Sequence, residues 1–196
     1  MAFIDPIAED SATGAAAELY EQDRADRGSV ANATRAFSLR PAVNDAWEAL
    51  RAALTSTMDP RRYELVTLAA ARRLRSSYCM LAHAEVLAGD FYDAETVRRI
   101  ATDHGSAGLD PVDVAVMDLA EKVAADATSV TQEDVDRLRD LGLADAEIFD
   151  VVAAAAARCF YSKTLDALGF QPDAEYAELD PRLREALVVG RPIDGE

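Results

Sequence analysis

Three Asp-Pro pairs, Asp59-Pro60, Asp110-Pro111 and Asp180-Pro181, set limits on this chain before anything else does. Each places a side-chain acceptor just ahead of a residue that lacks an N–H and has φ preset for a helix, which is how a helix start is written. Between these and other Pro and Gly positions the chain is rich in Ala, Leu, Glu and Arg, all good helix formers, and β-branched alternation is nearly absent. An all-α fold follows. Thr131-Gln132-Glu133-Asp134 resembles a capping box ahead of Val135, Leu138 and Leu141, and Gly142 stands where a left-handed residue would end that helix. Predicted helices cover 12–26, 31–38, 41–57, 60–74, 77–88, 93–103, 111–126, 131–141, 145–168 and 181–189. Short connections without a Ser/Gly-rich or charged linker predict one multi-helix bundle.

Charge narrows the function classes. Against 20 Lys plus Arg stand 36 Asp plus Glu, a formal net charge of −16, so nucleic acid and anionic membrane surfaces are repelled and neither is an expected partner. The longest apolar run, Val151 to Ala157, is mostly alanine and stops at Arg158, well short of the roughly 18–20 residues that span a bilayer. The first ten residues carry Asp5, Glu9 and Asp10 in place of a basic start and an apolar stretch, so no secretory signal is readable. Two cysteines far apart, Cys79 and Cys159, do not make a disulfide framework, and a reducing, cytoplasmic location is the expectation.

The residues that carry chemistry lie between Glu64 and His83. A break near Arg75 separates two predicted helices, and Ser76 can cap the second. Cys79 then sits in its first turn, where free N–H groups and the positive helix end favour a thiolate over a thiol. His83, four residues on, projects from the same face and can take the thiol proton or hold the anion as an ion pair. Glu64, on the preceding helix, can accept a hydrogen bond from the other imidazole nitrogen and so fix the tautomer. A zinc site built from these three side chains would lack a fourth ligand, and no metal or cofactor is expected.

The segment Glu64-x11-Ser76-x2-Cys79-x3-His83 resembles the Glu-x11-Cys-x2-Cys-x3-His motif of the carboxymuconolactone decarboxylase superfamily, and within it the AhpD-like alkylhydroperoxidases. Similarity to the peroxidase-related branch runs from about Gly28 to Gly169, through Gly28-Ser29-Val30-Ala31-Asn32, Arg40-Pro41 and Leu165-Asp166-Ala167-Leu168-Gly169. The resemblance implies a compact AhpD-like helical bundle, with an N-terminal arm and helix over 1–27, the AhpD-like domain over 28–170 and a C-terminal extension over 171–196. It also implies that Cys79 attacks peroxide, that His83 and Glu64 relay the proton, and that the protein is a homo-oligomer, either a trimer or a dimer-based hexamer.

One position departs from the motif. Ser76 stands where the family has its resolving cysteine, so a sulfenic acid on Cys79 must wait for an external thiol reductant. The other thiol, Cys159, lies in an alanine run that reads as buried helix, where cysteine is inert. The leading expectation is a one-cysteine, thiol-dependent peroxidase acting on small organic hydroperoxides or hydrogen peroxide. Two alternatives stay open: a lactone decarboxylase or isomerase working through His and Glu without a thiol, and a non-catalytic, redox-sensing helical oligomer. Tyr78 is expected either to touch the peroxide or to pack between helices, His104 to meet the last carbonyls of a helix, and Trp47 with Val43, Leu50 and Leu54 to form core or subunit interface.

Overall fold

The computed structural model describes residues 2–195, and within them the chain forms ten α-helices, short 3-10 turns and no strand. The first three helices are α1 (Ala15–Arg27), α2 (Asn32–Phe37) and α3 (Pro41–Thr55). The middle of the chain supplies α4 (Pro60–Leu74), α5 (Ser77–Asp90), α6 (Ala94–Asp103) and α7 (Pro111–Asp126). It ends with α8 (Gln132–Asp140), the long α9 (Asp145–Leu168) and α10 (Pro181–Leu187). Among the described residues no helix is long and apolar enough to cross a membrane.

The helix starts follow their caps, with two corrections. Asp59 accepts the Arg62 amide at 2.9 Å, and Asp180 accepts those of Arg182 and Leu183, so both carboxylates satisfy otherwise unpaired first-turn donors. Asp110 makes no such bond, and α7 starts on the fixed φ of Pro111 alone. Ser76 occupies the N-cap position of α5, but its hydroxyl caps nothing. At α8 the Asp134 carboxylate takes the Thr131 N–H at 2.7 Å, and Gly142, at φ 96°, closes the far end.

Helix α4 is the axis of the bundle and packs against α5, α7 and α9. Its residues Leu65, Val66, Thr67, Leu68, Ala69, Ala70 and Ala71 are all buried, so the helix is apolar on nearly every side, as a central element must be. Burying a side chain such as Leu65 or Leu68 contributes about 1.5–3 kcal/mol. Small residues let its partners approach closely: Ala115 and Ala120 on α7, Ala154 and Ala155 on α9.

The corner between α4 and α5 positions the site. Arg75 adopts a left-handed conformation (φ 58°, ψ 38°), which costs a non-glycine residue about 1–2 kcal/mol. The turn is held by the Ser76 amide donating to Ala71 O at 3.0 Å and by a C-terminal strap running past α10. In that strap Gly190 donates its N–H to Ser77 Oγ at 2.8 Å, and a Cβ at Gly190 would come within 2.0 Å of the Arg75 carbonyl oxygen, so only glycine fits there. The N-terminal arm is tied down at the other side, with Phe3 N donating to Leu168 O at 2.8 Å and Tyr20 OH to Ile7 O at 2.6 Å.

His104 is buried and pairs through Nε2 with Asp118 at 2.8 Å instead of meeting helix carbonyls. Arg72 takes that role, donating to the carbonyls of Ala101 and Thr102 at the end of α6. On α3 the apolar stripe divides: Trp47 and Leu54 are buried, while Val43 and Leu50 are 39% and 46% exposed.

Candidate active site

Glu64 lies near the start of α4 and His83 midway along α5, and the corner at Arg75 turns the two helices so that these side chains meet. His83 Nδ1 is 2.5 Å from Glu64 Oε2, with both side chains largely buried. Burial pulls the imidazole below its ordinary value, the positive charge of Arg158 adds to that, and the Glu64 carboxylate opposes both without outweighing them. His83 is therefore a neutral ring at neutral pH. Its Nδ1–H donates to Glu64, which leaves Nε2 with a lone pair, a base and not an imidazolium counter-ion.

Cys79 is the third residue of α5, 1% exposed, and its sulfur is held from α9. Ser162 Oγ donates to Sγ at 3.1 Å, and Arg158 Nη1 approaches it at 3.6 Å. No His83 nitrogen is within hydrogen-bonding reach of the sulfur among the described residues; the imidazole shares its cavity instead. Two donors from one helix aimed at a thiol supply what a thiolate needs, since both bonds strengthen when the sulfur carries charge.

Arg158 is itself unusual. It is 4% exposed, and its guanidinium carbon sits 5.3 Å from the ring centroids of both Trp47 and Tyr161, which stack on each other at 4.6 Å. Burial works against its charge, but the hydrogen bond to the Cys79 sulfur and the negative charge that Cys79, Tyr63 and Tyr161 carry once ionised outweigh it and hold the guanidinium above its ordinary value. Arg158 Nε is buried with no hydrogen-bond partner among the described residues, an omission that costs about 1–3 kcal/mol.

These groups open onto one cavity of about 410 Å³. Cys79, His83, Arg158, Trp47, Tyr78 and Tyr161 line it, with charged residues of α1 and α3 also on its wall. No family model matches the chain, and no curated protein matches its sequence. Solved structures do match it in three dimensions. A peroxidase-related protein with an alkylhydroperoxidase AhpD core, from Ralstonia eutropha JMP134, superposes with a TM-score of 0.79 at 20% identity, over 89% of this chain and 94% of that one. A peroxidase-related protein from Silicibacter sp. TM1040 gives 0.76 at 20% identity, over 90% and 91% of the two chains. The chain has the AhpD-like fold. The debrominase Bmp8 in complex with 2,3,4-tribromopyrrole also superposes, at 0.73 and 12% identity over 95% and 96%, so other chemistry is found on a similar fold.

Within this AhpD-like bundle the remaining candidates fall into place. Ser76 is fully buried, and its hydroxyl faces the Asp166 carboxyl, partly offsetting the burial that raises that acid. Tyr78 lines the cavity, but its hydroxyl is committed to a short hydrogen bond to Asp173 and accepts the Ala33 amide at 3.2 Å, which ties α5 to α2 and to the C-terminal extension. Cys159 is not the buried core residue the alanine run suggested. It is partly exposed on another face of α9, in a shallow groove with Phe160, Lys163 and Leu168. Arg158 and Ser162 were missed from sequence, although an arginine inside an alanine-rich helix is itself a signal, because burying it requires a partner.

Proposed function

We propose that this protein is a one-cysteine, thiol-dependent peroxidase that reduces small organic hydroperoxides or hydrogen peroxide at Cys79. The observation that carries the reading is the hold on the Cys79 sulfur by Ser162 at 3.1 Å and Arg158 at 3.6 Å, in a cavity shared with a neutral His83. Hydroxyl and guanidinium donors around sulfur serve thiol chemistry. A decarboxylase working through His and Glu alone would have no use for the Ser162 hydroxyl on the sulfur.

The reaction divides into steps that these residues can perform. His83 Nε2, its ring oriented by Glu64, accepts the Cys79 proton through one water in the cavity they share, and the thiolate attacks one peroxide oxygen. An S–O bond forms as the O–O bond breaks, and the departing oxygen takes the proton back from His83 as alcohol or water. The sulfur is oxidised by two electrons and the peroxide reduced by two. Ser76 offers no thiol and Cys159 belongs to another face of α9, so a first external thiol condenses with the sulfenic acid, releasing water, and a second exchanges onto the mixed disulfide to regenerate Cys79. The reading brings with it a homo-oligomer, trimer or dimer-based hexamer, and exposed Leu50, Phe149 and Phe160 on α3 and α9 supply apolar surface for it. A sedimentation mass well above the 21.1 kDa of one chain is expected.

A second reading, reductive removal of halogen from an aromatic ring, is favoured by the aromatic walls of Trp47, Tyr78 and Tyr161. The experiment that separates these readings follows consumption of peroxides and of a brominated aromatic with a panel of thiol reductants, comparing the protein with Cys79→Ser. Thiol-dependent peroxide turnover abolished by the substitution is expected. Turnover of the halide alone would replace the proposal with the second reading, and stoichiometric oxidation without turnover would leave a sensor.

A further inference from the structure

Three arginines line the Cys79 cavity, and only one lacks a carboxylate. Arg51 is paired with Glu48 at 2.6 Å, and Arg27 reaches Glu175 at 3.2 Å. Arg158, deepest of the three, pairs with no carboxylate among the described residues. Its neighbours are the Cys79 sulfur, a long 3.6 Å contact, the Tyr63 hydroxyl, and the Trp47 and Tyr161 rings, which stabilise a cation without neutralising it. When Cys79 is a neutral thiol, Arg158 is therefore a buried positive charge with an unused Nε–H and no carboxylate in contact with it, since Glu48 pairs with Arg51, and Asp23 and Asp26 stand on the α1 wall of the cavity. Arginine's planar fork is matched to the oxygens of carboxylates and other oxyanions.

The geometry points to an oxyanion subsite beside Cys79, formed by the Arg158 guanidinium against the Trp47 and Tyr161 rings. It takes small monoanions of the carboxylate class, and during turnover it takes the oxygen that leaves the peroxide. The second half of this inference rests on the peroxidase reading. The first half does not. In turnover Arg158 first faces the thiolate; as the S–O bond forms the negative charge passes to the departing alkoxide or hydroxide oxygen, which Arg158 meets until His83 returns the proton. The guanidinium thus faces one negative charge throughout, which is the preorganised arrangement that lowers a barrier where charge moves.

The test compares two alkylating agents of similar size, iodoacetate and iodoacetamide, on Cys79, with the Cys79 adduct quantified by mass spectrometry. An oxyanion subsite makes wild type favour the anionic reagent, and in Arg158→Gln the ratio of iodoacetate to iodoacetamide rates falls on the order of tenfold or more, as expected for loss of a charge-assisted hydrogen bond. Arg158→Lys keeps the charge and retains part of the preference. Trp47, the one tryptophan of the sequence, lies against Arg158 and supplies a second readout on unsubstituted Arg158. Benzoate is expected to change its fluorescence saturably in Cys79→Ser and to slow iodoacetate labelling of wild type. An unchanged reagent ratio in folded Arg158→Gln, or no saturable benzoate response, overturns the subsite even if peroxide turnover is present. Intact anion binding with no thiol-dependent peroxide turnover overturns the peroxidase reading and leaves the subsite standing.

Discussion

His83 Nδ1 and Glu64 Oε2 lie 2.5 Å apart across the α4–α5 corner, nineteen residues separated in sequence and joined by a left-handed turn at Arg75. The contact fixes which nitrogen of the ring carries the proton. Glu64→Gln keeps the shape and removes the charge, so the ring loses its preference for presenting Nε2 as the base. Peroxide oxidation of Cys79 in this variant is expected to slow on the order of 10²-fold, the low end of what positioned acid–base catalysis contributes, with folding unaffected. Stopped-flow oxidation rates beside far-UV circular dichroism check it.

The same environment sets a pH dependence. Burial and then Arg158 depress His83 below its usual 6.5, and Glu64 pulls the other way. A group depressed in the folded state is protonated first in the unfolded chain, so its contribution to stability is full above pH 6.5 and is lost as pH falls through the lower folded value. Rate follows the same titration: the acid limb of Cys79 oxidation lies below 6.5 in wild type and moves up toward it in Arg158→Gln, because a charge disfavouring imidazolium is gone. A limb above 6.5 in wild type would show that His83 is not the base.

Ser76→Cys restores the family pattern three residues ahead of Cys79, at the first turn of α5. After one equivalent of peroxide the product is expected to change from a sulfenic acid to a local disulfide between the introduced thiol and Cys79. Peptide mapping without reduction reads it. Turnover with monothiol reductants is then expected to fall while turnover with dithiols persists, since a protein disulfide is opened best by a reductant that closes its own ring.

Gly190→Ala tests the strap over the corner. The added Cβ would sit 2.0 Å from the Arg75 carbonyl oxygen, so the strap must lift and the 2.8 Å bond from Gly190 N to Ser77 Oγ must lengthen. A loss of about 1–3 kcal/mol in urea unfolding is expected, the range for forcing extra atoms into a packed site.

Much of the fold was legible in the sequence because its signals are local. Asp59, Asp180 and Gly142 act within a few residues of where they stand, and Glu64, Cys79 and His83 lie on two consecutive helices joined by one turn. Arg158 was not legible for the opposite reason: its partner Cys79 is 79 residues away, and only the packing of α4 against both α5 and α9 brings them together. Read alone, Arg158 looks like the end of an apolar run, although the helix over 145–168 was itself legible. Cys159 was misplaced by one step of the helix, because a rotation of about 100° per residue separates the face that meets Cys79 from the face that meets solvent. His104 likewise gave no sign that its partner, Asp118, would come from the next long helix.

The central claim is that Cys79 is the peroxide-reactive atom and that no thiol within the chain resolves it. Mass spectrometry after one equivalent of hydrogen peroxide in the presence of a dimedone-type trap tests this most directly. The predicted result is a single sulfenic-acid adduct on Cys79, with Cys159 recovered as a free thiol and no adduct in Cys79→Ser. A Cys79–Cys159 disulfide, or an adduct on Cys159 with Cys79 untouched, would contradict the account.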